Sequence, residues 1–196
     1  MAKDDNSVNI EKPKRGYHHG DLRAALITIG LEQLKLGVEA LSLREIARAA
    51  GVSATAVYRH FPSKQDLLYA LCAYGAEALG AAQTKAMIKA GGGIAGFDAS
   101  GKAYVRFALG NPALFRLLMS TRPPGGHFGP EDSHVSSAMR LLQENVAALL
   151  PPEANAARKR IAAMQAWALV HGMAMLMLDG QIPADEELIE SIATKF

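Results

Sequence analysis

At 196 residues, 49% of them apolar and 20% charged, the chain can form one large or two small cored domains, and its composition excludes disorder outside the ends. A single cysteine, Cys72, excludes an internal disulfide and a cysteine metal cluster, and the lack of an apolar signal region makes the cytoplasm the default location. Net charge is only +2, but residues 12–70 carry nine Lys or Arg against five Asp or Glu, while from residue 71 onward the signs balance at eleven each. The basic excess thus sits in the first third of the chain, where it would draw in a polyanion.

Residues 1–15, polar and containing KPKR, read as a flexible basic arm that either enters a DNA minor groove or stays solvated. The apolar spacing predicts a first helix over residues 21–36, with Leu22, Ala25, Leu26 and Ile29 facing inward and Gly37 as its stop. Residues 41–68, LSLREIARAAGVSATAVYRHFPSKQDLL, are the most informative stretch. Leu43, Ile46, Ala47 and Ala50 fall on one helix face. Ser42 with Glu45 spells a capping box, Gly51 tolerates the positive φ of a tight turn, and Ser53 caps the next helix at once. Two helices joined this way predict a helix-turn-helix, whose second helix enters the major groove. Thr55, Tyr58, Arg59 and His60 crowd the polar side of that helix, and Val52, Val57 and Phe61 its apolar side. The plainer alternative is a helical hairpin with a solvated basic face.

Ser63 and Asp66 start a long helix to about Lys89, in which Gly75 and Gly80 cost stability unless close packing explains them. Gly91–Gly93 breaks it. Helix is predicted over residues 97–109, then from Pro112 after an Asn111 cap. TRPPGGHFG, residues 121–129, must be loop, and helix resumes near Glu131 and ends before Pro151. Residues 154–179 form a long apolar helix closed by Gly180, and Pro183 starts a last one. The stretch 161–178 reaches the lower edge of a membrane span, but Gln165, His171 and the amphipathic segments around it favour the buried centre of a soluble bundle. His127 and His134, flanking Glu131 and Asp132, match no common zinc spacing, and no phosphate loop or nucleophile elbow is present. No metal, cofactor or catalysis is therefore expected.

GYHHGDLRAALI followed by LSLREIARAAGVSATAVYRHFPSKQDLLYAL resembles the DNA-binding domain of the tetracycline-repressor (TetR) family. The resemblance implies an all-α protein: an N-terminal three-helix DNA-binding domain over residues 16–66, after the arm at 1–15, and a C-terminal helical bundle over 67–196 for effector binding and dimerisation. It implies a homodimeric regulator that binds double-stranded operator DNA and responds to a small molecule. Carried over by position, Arg44 reads a base edge, Ala54, Thr55 and Tyr58 form the exposed recognition face, and Tyr58, His60 and Lys64 hold phosphates. YVRFALGNPALFRLLMS and WALVHGMAMLMLDG resemble the C-terminal domain named for its Trp, His and Gly, here Trp167, His171 and Gly172. That resemblance implies an effector pocket and a dimer interface made by the last two helices.

Trp167 and His171, one turn apart on one helix face, could line such a pocket, with Phe107, Phe115, Met119 and Met139 as further candidates; the bland reading makes most of them plain core. Eight methionines favour an apolar, accommodating site. The expected function is a repressor released from its operator by a small, largely apolar effector, and the rival is a helical small-molecule-binding protein without specific DNA binding.

Overall fold

The computed structural model describes residues 22–120 and 137–192. Among them the chain is helical without strand, and it divides into two compact units. One contains residues 22–75 and 112–120, the other residues 76–111 and 137–192. The boundary expected at residue 66 falls inside the first unit, which also takes in a helix from beyond residue 110. The basic arm, the 121–129 loop, the helix start near Glu131 and the His127–His134 segment lie outside the described residues.

In the first unit, α1 (Leu22–Leu34) buries Leu26, Gly30, Leu31 and Leu34. Leu22, Ala25 and Ile29, expected to face inward, are only half-buried, so the buried stripe is rotated from the one read in the sequence. The cause is Gly30: a Cβ there would meet Leu71 Cδ2 at 3.3 Å and Leu67 Cδ1 at 3.4 Å, so its bare backbone is the contact surface. A short 3-10 turn, Val38–Ala40, leads to α2 (Leu43–Ala50) and α3 (Ala54–His60). Leu43, Ile46 and Ala47 are buried as the spacing predicts, and Gly51 takes φ 69° in the turn.

The capping box at α2 forms only in half. Ser42 Oγ accepts from Glu45 N at 3.4 Å, but the Glu45 carboxylate turns to Arg48, and Ser42 N donates instead to Gln33 Oε1 of α1 at 3.2 Å. The reciprocal box appears two helices later. Ser63 N donates to Asp66 Oδ2 at 2.9 Å and Asp66 N to Ser63 Oγ at 3.2 Å, which launches α4 (Lys64–Lys89). Gly75 is explained by packing, since a Cβ there would stand 3.0 Å from Leu114 Cδ1 of α6 (Pro112–Ser120).

In the second unit, α5 (Gly93–Gly110) starts four residues earlier than predicted, at the last of three successive glycines of positive φ. Asn111 closes this helix as well as preceding the next: its Nδ2 donates back to the Phe107 carbonyl at 3.1 Å. α5 packs along α8 (Ala156–Leu178), and both pack against α7 (Ser137–Leu149). Phe97, Val146, Leu150, Ala162, Ala163 and Ala166 form one buried cluster here. Gly101 brings α5 close to α8, with Val170 Cγ1 3.1 Å from where a Cβ would stand. The last helix, α9 (Glu186–Glu190), starts after an Asp185 cap, three residues past Pro183. Arg106 of α5 pairs with Glu186 and Glu190, and Lys102 Nζ lies 2.8 Å from Glu190 Oε2, so α9 is held by a matched ladder of charges.

α8 is long and apolar enough to cross a membrane by length and composition, yet its buried side faces α5 and α7. Ala162, Ala163, Ala166, Val170, Ala174 and Met177 point into the unit, while Ile161, Met164, Leu169 and Leu176 are exposed.

Candidate functional site

The first unit presents a basic and hydroxyl-bearing surface. Ser53 Oγ accepts from Ala56 N at 3.2 Å and starts α3, whose inner side is anchored by the fully buried Val57 and Phe61. Arg44 on α2 and Ala54, Thr55, Tyr58, Arg59 and His60 on α3 are all exposed. Tyr58 is 42% exposed, so its ring and hydroxyl are accessible on the outer side of α3. Lys64 is half-buried and its Nζ lies 3.4 Å from the Glu39 carbonyl, so its ammonium is steadied at the start of α4. Arg23 stacks its guanidinium over the Phe61 ring, 5.3 Å from the centroid, which braces α1 against the end of α3. Two packed helices, a glycine turn and an exposed polar second helix define the helix-turn-helix DNA-binding class.

The six pocket candidates do not share one unit. Phe115 and Met119 lie on α6, in the helix-turn-helix unit, where Phe115 is fully buried. Phe107 and Met139 are buried in the other unit, and Trp167 and His171 are half-buried there. The residue that the sequence reading passed over is Tyr104. Its hydroxyl accepts from Trp167 Nε1 at 3.2 Å and lies 3.0 Å from His171 Nδ1. The Trp167 and His171 rings are 5.2 Å apart and tilted by 32°. Burial pushes the Tyr104 phenol above the usual tyrosine range, and the Trp167 hydrogen bond opposes that shift. A signal did exist: Phe97, Ser100, Tyr104 and Phe107 recur at helical spacing on the buried face of α5.

Small residues on α8 divide between its faces. Ala166 and Ala174 are turned into their own unit, whereas Ala168 is exposed and a Cβ at Gly172 would meet nothing within 4 Å.

Two family profiles match the chain: "Bacterial regulatory proteins, tetR family" over residues 35–71, and "Tetracyclin repressor-like, C-terminal domain" over residues 97–195. The second takes in Tyr104, Trp167 and His171 and spans half of the sequence. The chain belongs to the TetR family and is a DNA-binding transcriptional regulator. Among its relatives is the nucleoid occlusion factor SlmA of Haemophilus ducreyi, 28% identical over 109 residues; the match covers 56% of this chain and 54% of that protein, about half its length. A Rhodococcus sp. RHA1 protein of unknown function has a solved structure with TM-score 0.72 and 31% identity, over 91% of this chain and 94% of that one. The TetR family transcriptional regulator PfmR of Thermus thermophilus shares the fold at TM-score 0.50 and 22% identity, over 82% and 92% of the two chains. Regulators of this family bind operator DNA and act as dimers, so the rival reading of a ligand carrier without DNA binding gives way.

Proposed function

We propose that the protein is a cytoplasmic homodimeric repressor released from its operator by a small, largely apolar effector. The observation that carries this reading is α4. One unbroken helix starts at the edge of the DNA-reading helices and ends in the unit that contains the Tyr104–Trp167–His171 cluster. A ligand that shifts the second half of α4 therefore acts on the helix that follows the recognition helix in the chain. Arg44 reads a base edge, Ala54, Thr55 and Tyr58 meet the groove, and Tyr58, His60 and Lys64 hold phosphates. Two recognition helices enter successive major grooves about 34–36 Å apart, and effector binding changes that separation. Dimerisation uses the exposed apolar side of α8, where Ile161, Met164, Leu169 and Leu176 flank the small Ala168 and Gly172, together with the segment after Pro183.

The test is a screen of small aromatic compounds for release of an operator obtained by selection from random DNA. A releasing compound must bind the free protein more tightly than the operator complex, by the same factor by which it weakens operator binding. Equal affinity for the two states would remove effector release from the function.

A further inference from the structure

Two polar clusters lie inside the second unit, and they differ in how completely they are paired. Around Tyr104 the phenol takes up both the Trp167 N–H and His171 Nδ1. Around Gln83 of α4 one atom is left over. Gln83 is 7% exposed, and its Nε2 donates to Ser100 Oγ at 3.2 Å and to the Ser100 carbonyl at 3.4 Å. Its Oε1 is buried with no donor in reach among the described residues. Turning the carboxamide over would not cure this. The oxygen would then face the Ser100 carbonyl, which can only accept, and the NH2 group would be the orphan. Buried polar atoms are paired in the great majority of cases, and an orphan in a folded protein asks for an explanation.

We propose that Gln83 Oε1 is an effector contact that accepts a hydrogen bond from an O–H or N–H group on an otherwise apolar ligand. The inference rests on the reading of this unit as the effector-binding one. Ser100 holds both N–H groups of the amide and so fixes where the oxygen points. Ser100 and Tyr104 are four residues apart on α5 and both are buried, so the unmet acceptor and the Trp167 ring border the same face of that helix. Gln83 stands on α4 itself, so a ligand that bonds to it acts on the helix shared by both units. Such a site discriminates against a ligand of equal shape without the donor, because that ligand leaves the acceptor buried and unpaired.

Shape-matched pairs test this: phenol against toluene, and indole against indene, titrated by calorimetry into the full-length protein and into Gln83→Met. The wild type is expected to bind the donor member of a pair about tenfold more tightly, and Gln83→Met to lose or reverse that preference. The double variant Gln83→Met/Ser100→Ala repeats the test with the amide's partner also removed, should the single variant not fold. Equal binding of both members by the wild type, or a preference that survives in either folded variant, overturns the proposal while leaving an effector site elsewhere in the unit. Binding of neither pair counts against the effector reading itself, and the proposal falls with it.

Discussion

The two units are specified in different ways. In the helix-turn-helix unit the informative bonds are local: Ser42 to Glu45, Ser53 to Ala56, Ser63 to Asp66, each three residues apart. In the second unit the bonds that set the chemistry are remote, since Tyr104 meets Trp167 and His171 across 63 and 67 positions of chain. A DNA-reading surface needs short helices at a fixed angle with exposed polar tips, which caps and a glycine turn supply. An interior that receives a ligand needs convergent side chains from several helices, and only tertiary packing supplies those. Substitutions in the first unit should therefore separate cleanly into folding and DNA effects, whereas in the second unit they should mix stability with response.

The sharpest challenge to this division is Phe115. It is fully buried in the unit that reads DNA, so Phe115→Ala should lose about 3–5 kcal/mol of stability, read by chemical denaturation, with operator affinity lost only as folding fails. A stable variant with altered effector response would return Phe115 to the pocket. Arg44→Ala should leave the fold intact, because the side chain is exposed, and cost about 1–3 kcal/mol on the selected operator alone. An equal loss on random duplex would make Arg44 a phosphate contact.

Tyr104→Phe should cost about 1–3 kcal/mol by stranding the Trp167 N–H, and should shift the emission of this single tryptophan. The raised Tyr104 pKa adds a pH signature. The buried phenol holds its proton more tightly than in the unfolded chain, so its contribution is complete below the ordinary tyrosine value of 10.0 and is lost as pH rises beyond it. Wild-type thermal stability should fall more steeply there than that of Tyr104→Phe. The smallest effect is expected at Glu190, whose carboxyl is held below its usual range by Lys102 first and then Arg106. Glu190→Gln should destabilise by less than about 1 kcal/mol, less still in high salt, and wild type and variant should converge as acid protonates Glu190.

Much of the fold was legible in the sequence because helix ends are local events. The limits of α4 and α6 were readable from Ser63, Lys89 and Pro112, and Gly51 took the positive φ expected of it. What stayed hidden depended on neighbours distant in the chain. Glu45 looked like a capping partner, but Gln33 from α1 and Arg48 displaced it. Ala166 and Ala174 looked equivalent to Ala168 and Gly172 on an all-apolar helix, and only the positions of α5 and α7 told the buried pair from the open one. Tyr104 stood in plain view between Lys102 and Arg106, yet nothing local marks a phenol that bonds an indole and an imidazole. Phe115 and Met119 read like the other pocket candidates in the sequence, because core and pocket recruit the same side chains, and only tertiary packing places them with the helix-turn-helix unit.

The most direct measurement is binding to a duplex selected from a random pool, compared with a scrambled duplex over a salt series, with the stoichiometry determined. Two chains per operator, specific binding at least about 10³-fold tighter than scrambled, and a salt slope that drops by about one ion for each lysine lost in Lys64→Ala are expected. Equal affinity for both duplexes, or one chain per site with a salt slope unchanged in Lys64→Ala, would contradict a dimeric regulator that reads its operator through α2 and α3.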